Sequence, residues 1–344
     1  MSIVKKPVTL KDIARITGVH VSTVSRALDL NGRSALTEDV VQRVRETAQR
    51  MGYRPNRLAA GLRTSRTMTV GIIIPDITNA IFPLIVRGVE SVLEPLGYAS
   101  IIVNTDNLVE REARLLDVLR ERGVDGIVHA AVLRDDPRIA EVMAEGTPVV
   151  TVNRRMDGAG IPAVVNDEEH GISLLMRHLH ESGHRRIAHI AGPEAFSTGQ
   201  ARLRAFEGMV AELGLEAPAG TTIQAHRFDE AEGARCTEEL LAGGWPFTAI
   251  LCANDRLALG AIRALQARGL RCPEDVSVTG FNDMPLLDLI PPGLTTVRIA
   301  QFKVGQAAAH LMVRMMSGQA DGVEPETVMP VELIRRGTVA PPAG

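Results

Sequence analysis

From Thr67 to about residue 340 the chain repeats one pattern: a short apolar run, then an amphipathic stretch. Val70 to Pro75, Ala99 to Asn104, Val124 to His129 and Pro148 to Asn153 are apolar at consecutive positions, as strands covered on both faces must be. Helical periodicity separates them around 80–96, 108–122 and 135–145. A second series follows at Ala163 to Val165, Arg186 to Ala191, Thr221 to His226, Ala249 to Ala253 and Val276 to Gly280, with a last strand-like run at Val328 to Ile334. Alternation of this kind builds a parallel sheet with helices on both faces, and two such series predict two doubly wound lobes. Ligands of these sheets bind beyond the carboxyl ends of the strands, so residues just after each run are site candidates. The 344 residues exceed one ordinary core, and 45% hydrophobic content suits globular folding.

The first 66 residues follow a different rule. In Val8 to Leu28, Leu10, Ile13 and Ala14 share one helical face, Val24 and Leu28 share another, and Thr17 to Val19 breaks the two with Gly18 at the turn. Thr9 caps the first helix with Asp12 at its third position. This is the pattern of a helix-turn-helix, whose second helix carries Val21, Ser22, Ser25 and Arg26 away from its core, a face suited to a major groove. A plain helical hairpin with a solvated face would show the same local pattern, and charge separates the two. Residues 1–66 hold 13 Lys+Arg against 5 Asp+Glu, whereas the remainder holds 25 against 36. A basic head on an acidic body fits a chain that meets phosphates at one end only. A third helix opens at Thr37, with Val40, Val41, Val44, Ala48 and Met51 on its apolar face and Gly52 at its end. The basic segment Tyr53 to Arg66 then makes a helix too short to stand alone, weakened further by Gly61.

Taken together, TLKDIARITGVHVSTVSRAL, GYRPNRLAAGLRT, GIIIPDITNAIF, GHRRIAHIAGP, VTGFNDMPL and PPGLTTV resemble the LacI/GalR family of bacterial transcriptional regulators from Val8 to about Pro341. The resemblance implies an all-α helix-turn-helix head at 1–52, a hinge helix and linker at 53–66, and an α/β body of periplasmic-binding-protein-like form. In that body the N-terminal lobe is expected at 67–165 plus about 293–322, and the C-terminal lobe at 166–292 plus about 323–340. It further implies a homodimer on a pseudo-palindromic double-stranded operator. Thr9, Val21, Ser22, Thr23, Ser25 and Arg26 of the head are the implied contacts, with Asn56, Arg57, Leu62 and Arg63 of the hinge. Leu62 falls on the leucine that wedges into the minor groove. His20 departs from the Ser or Asn that usually caps the recognition helix.

Between the lobes the resemblance places a small effector near Asp76, Asn79, Phe82, Asn153, Arg202, Phe228 and Asn282. A guanidinium, amides and aromatic faces suit a polyhydroxylated ring; the same residues would also serve as strand-end caps and core aromatics. Phe196 stands where purine-responsive relatives carry Arg, which points away from a purine and toward a sugar or sugar derivative. Other constellations carry no chemistry. Gly158 to Ala163 imitates a dinucleotide fingerprint but has Pro162 where a helix should open. His178, His180, His184 and His189 straddle a helix end and the next strand, so no metal site is expected. Cys236, Cys252 and Cys272 read as buried thiols. No nucleophile elbow, phosphate loop or acid pair marks an enzyme, and no cofactor is expected. With no run of about 18 apolar residues and no apolar signal core in MSIVKKPVTLKD, the protein is expected in the cytoplasm, at the nucleoid when bound to its operator, and away from membranes. An exported sugar-binding protein would share the two-lobed body but would need that signal in place of the basic head.

Overall fold

The computed structural model describes residues 8–28, 36–53, 66–158, 160–319, 322 and 324–342. The chain divides into two compact units, Met1–Thr67 and Met68–Gly344. In the first, α1 (Leu10–Thr17), α2 (Val21–Leu28) and α3 (Glu38–Arg50) close around Ile13, Val24, Ala27, Val41 and Val44. The α1 start follows from local chemistry: the Asp12 carboxylate accepts the Thr9 backbone N–H at 3.0 Å and the Thr9 hydroxyl at 2.7 Å. Its end follows from Gly18 at φ +69°, which lets the chain reverse at little strain. Thr37 occupies the cap position of α3 without a side-chain capping bond.

The second unit holds both doubly wound lobes. Strands β1 (Thr69–Ile74), β2 (Ala99–Asn104), β3 (Gly126–His129), β4 (Val149–Val152) and β5 (Ala163–Asn166) belong to one six-stranded parallel sheet. Its order is β11-β5-β4-β3-β1-β2, where β11 is Glu326–Met329. In β1, Ile72 and Ile74 face the core under α4 (Ile81–Leu93) and α11 (Gln301–Met316). Ile73 faces the opposite core under α5 (Val109–Glu121) and α6 (Pro137–Ala144). That two-sided burial is why the run is apolar throughout.

A four-stranded parallel sheet, β7-β6-β8-β9, forms the other lobe from β6 (Ile187–Ala191), β7 (Thr222–Gln224), β8 (Ala249–Cys252) and β9 (Ser277–Thr279). Helices α9 (Glu230–Ala242) and α10 (Asp255–Ala267) cover one face, and α7 (Glu168–Glu181) and α8 (Ser197–Glu212) the other. Cys236 and Cys252 are buried in its core and Cys272 is half-buried, all three as free thiols.

The returning segments differ from expectation. Residues 293–299, placed with the first lobe by sequence, lie with the second, because β10 (Thr296–Ile299) pairs antiparallel with β12 (Val331–Ile334) and buries Val297 and Ile299 there. Conversely β11, placed with the second lobe, pairs with β5 in register Glu326 to Ala163. The run Val328 to Ile334 is thus two strands in two sheets. Pro330 has no N–H to offer a ladder, and the chain changes lobe there. By these assignments the chain passes between lobes after Asn166, at Ala300 and at Pro330.

Candidate functional site

A cavity of about 360 Å³ lies between the two lobes of the body, rimmed by strand ends and the first turns of helices. All seven residues expected there line it: Asp76, Asn79 and Phe82 beyond β1, Asn153 beyond β4, Arg202 on α8, Phe228 before α9, and Asn282 beyond β9. Their roles differ. Phe82 is 3% exposed and belongs mainly to the first lobe's core. The Asn79 amide oxygen accepts the Ile81 N–H at 3.4 Å, opening α4. Arg202 is already engaged: Nε donates to Glu168 Oε2 at 2.5 Å and Nη1 to the Ala253 carbonyl at 2.5 Å, with the guanidinium 3.8 Å over the Phe281 ring. Its Nη2 has no acceptor among the described residues. Burial holds the Glu168 carboxyl above its ordinary range, against the pull of Arg202.

Asn282 is 4% exposed and its Oδ1 has no hydrogen-bond partner among the described residues. Four lining residues hold positive φ without being glycine, namely Asp106 (+54°), Asn107 (+55°), Asn153 (+65°) and Asn282 (+118°). Strain of this kind gathers where a backbone must aim polar groups at a ligand.

Sequence reasoning missed Arg154, Asn254 and Arg256, and treated Phe196 only as a mark of specificity. Each of the first two is the second residue after a strand, β4 or β8, so the strand-end rule extended by one position would have found them. Phe196 and Phe228 face each other with centroids 6.1 Å apart, and the Arg154 guanidinium lies 3.6 Å from the Phe196 ring centre. Gly192 makes room for this wall, since a Cβ there would meet the Phe228 ring at 2.4 Å. Arg256 spans the cleft: Nη1 donates to Asp76 Oδ2 of the first lobe at 2.7 Å, while Nε and Nη2 hold both oxygens of Glu230 at 2.8 Å. Burial opposes the Asp76 charge, but hydrogen bonds from Thr78 and Arg256 outweigh it and hold the carboxyl below its usual range.

Two of the four histidines, His184 and His189, have separate structural partners. His184 Nδ1 is 2.9 Å from the Thr248 hydroxyl, and His189 Nδ1 is 2.8 Å from the Leu251 carbonyl.

In the head, Val24 and Ala27 turn α2 inward. Ser22 and Arg26 are exposed, Thr23 and Ser25 half-buried, and Val21 is half-buried against the head core rather than free of it. Thr9 is exposed at the start of α1. His20 does cap α2: its Nδ1 accepts the Ser22 N–H at 3.3 Å and lies 2.8 Å from the Ser22 hydroxyl. Arg26 Nε donates to the Ser22 carbonyl at 3.3 Å, leaving both Nη groups without an acceptor among the described residues. Asn56, Arg57, Leu62 and Arg63 lie outside the described residues.

Residues 9–56 match the bacterial regulatory proteins of the lacI family, and residues 176–339 match the periplasmic binding protein-like domain. The HTH-type transcriptional regulator RegA of Clostridium saccharobutylicum is 33% identical over 95% of this chain and 98% of its own. The chain belongs to the LacI family. Solved structures agree across both units. The Lac repressor dimer bound to operator and the anti-inducer ONPF covers 97% of this chain and is itself covered completely, at 28% identity and a TM-score of 0.87. The CelR–cellobiose complex covers 96%, with 99% of that chain matched, at 28% identity and a TM-score of 0.74. This LacI-family member is a DNA-binding transcription regulator and not an enzyme. Among its described residues no helix is long and apolar enough to cross a membrane.

Proposed function

We propose that this LacI-family regulator is a homodimeric repressor whose hold on a pseudo-palindromic operator is set by a sugar or sugar derivative bound between the lobes. The observation that carries the reading is the gathering of Asp76, Asn79, Phe82, Asn153, Arg202, Phe228 and Asn282 around one cavity. Aromatic walls, the Asn282 amide oxygen, which has no partner among the described residues, and the unengaged Nη2 of the Arg202 guanidinium are what a polyhydroxylated ring requires. Relatives with an operator and an anti-inducer, or with cellobiose, support the same division of labour. In the head, Ser22, Thr23, Ser25 and Arg26 read base edges. Val21 offers its exposed part to a thymine methyl, and Thr9 contacts the backbone. Asn56, Arg57 and Arg63 meet the hinge's DNA and Leu62 wedges its minor groove. The protein works in the cytoplasm and sits at the nucleoid when on its operator.

Selection of duplexes from a random pool by the full-length protein tests both halves. The expected product is a two-fold symmetric site, and Arg26→Ala is expected to relax preference at one symmetric pair of positions by about 1 to 3 kcal/mol. Sugars are then titrated against the selected duplex by fluorescence anisotropy. An asymmetric product would overturn the dimeric reading. Sugar-induced release that survives Phe228→Ala and Arg202→Lys would move the effector out of this cleft.

A further inference from the structure

Charge is balanced around the interlobe cavity at every guanidinium but one. Arg202 has Glu168 at 2.5 Å, Arg256 has Asp76 at 2.7 Å and Glu230 at 2.8 Å, and Arg227 has Asp229 at 2.6 Å. Arg154 has no carboxylate in ion-pair contact among the described residues, although it is 4% exposed. Its neighbours are neutral and distant. Nη1 is 3.5 Å from Asn107 Oδ1 and 3.3 Å from the Ala131 carbonyl, Nη2 is 3.4 Å from Asn107 Oδ1, and Nε has no partner among the described residues. Glu112 attracts it without touching it, and that carboxylate already sits 3.1 Å from His129 Nε2. Arg202 adds a like charge nearby. Of the remaining strand-end groups, Asn153, Asn254 and Asn282 are neutral amides, and the Asp106 carboxylate is paired with Arg111.

A buried cation without a contacting counter-charge is costly, and closing the lobes on a neutral ring would leave it so. A hydroxyl group accepts a hydrogen bond from a guanidinium but does not neutralise it. A carboxylate or phosphate group does both, and Arg154 has Nε unpartnered among the described residues and Nη1 and Nη2 held only by long bonds to neutral groups that such an anion can replace.

We propose that the effector of this regulator is anionic, a monosaccharide-sized polyhydroxylated ring or chain bearing a carboxylate or phosphate, and that Arg154 receives that group while Phe196 backs the guanidinium. This rests on the cleft being the effector site. The volume of about 360 Å³ lies near the lower end of ligand pockets, which suits one sugar unit with its charged group. Burial pushes the Arg154 guanidinium down to about 9, as expected of a cation still waiting for its counter-charge.

Isothermal titration of the full-length protein with matched compounds tests this: glucose and galactose against glucuronate, galacturonate and gluconate, and against glucose 6-phosphate and fructose 6-phosphate. At least one acid or phosphate is expected to bind about 10- to 100-fold more tightly than its neutral parent, the scale of one charge-assisted bond. The two arms separate carboxylate from phosphate. Arg154→Gln should erase that preference, and Arg154→Lys should restore part of it. The wild-type comparison stands even if a variant folds poorly. A neutral sugar that binds as tightly as its acid, or a set in which no acid or phosphate binds, overturns the inference. Loss of that neutral binding in Phe228→Ala would still keep the cleft as the site. An anion whose affinity ignores Arg154 overturns the inference, and one that also ignores Phe228 overturns the cleft reading with it.

Discussion

His189 and Asp255 are fully buried in the same lobe and pull its pH dependence in opposite directions. Burial lowers His189 to about 4, although its Nδ1 bonds the Leu251 carbonyl. Burial raises Asp255 to about 6 against hydrogen bonds from the Thr296 hydroxyl at 2.6 Å and the Met284 N–H at 2.8 Å. A depressed histidine contributes stability that is present above its unfolded value of 6.5 and lost as pH falls toward 4. A raised carboxyl contributes stability that is present below its unfolded value of 3.8 and lost as pH rises through about 6. Between pH 4 and 6 the two contributions therefore largely cancel. Asp255→Asn removes one of them, so the variant's unfolding free energy from urea titrations should climb from pH 4.5 to 6.5 by on the order of 2 kcal/mol relative to wild type. Parallel profiles for the two proteins would mean that Asp255 is not held as described.

Among the elements, α4 and α11 approach each other through glycines. A Cβ on Gly88 would stand 2.1 Å from the Phe302 carbonyl oxygen, and one on Gly305 would stand 2.0 Å from that of Ile85. No side chain is available to yield at either point, so Gly88→Ala or Gly305→Ala must push two helix backbones apart. Each is expected to cost about 1 to 3 kcal/mol, read as a lower denaturation midpoint at unchanged slope. An unchanged midpoint would show that this helix pair has slack. Neither glycine stood out in the sequence, where each sits inside an otherwise regular helical pattern. The head was more legible at this scale. Gly18, Thr9 and Asp12 act within one turn of their own positions, so their consequences can be read from local spacing. The His20 cap was legible as a departure from the usual residue. Only the geometry showed that an imidazole nitrogen reaches the Ser22 N–H.

At the scale of the whole body, Arg256 ties the lobes together across the cleft through Asp76 and Glu230. Half-exposed pairs of this kind contribute about 1 kcal/mol. Arg256→Gln should therefore shift the lobes about fivefold toward separation in the absence of ligand, seen as faster amide exchange at residues 77–80 and 227–230. Unaltered exchange would reduce the pair to surface decoration. The sequence by itself determined the two lobes, the head and seven of the residues that line the cavity, because periodicity, capping and turn chemistry are local and repeat many times. It did not determine which lobe β10 and β11 join, since a strand-like run carries no label for its partner and Pro330 marks a break without saying where either side goes. Nor did it show that Arg202 is held by Glu168 while Arg154 is left without a contacting acid. Pairing of buried charges depends on side chains brought together from distant strands, and only the closed tertiary structure sets those distances.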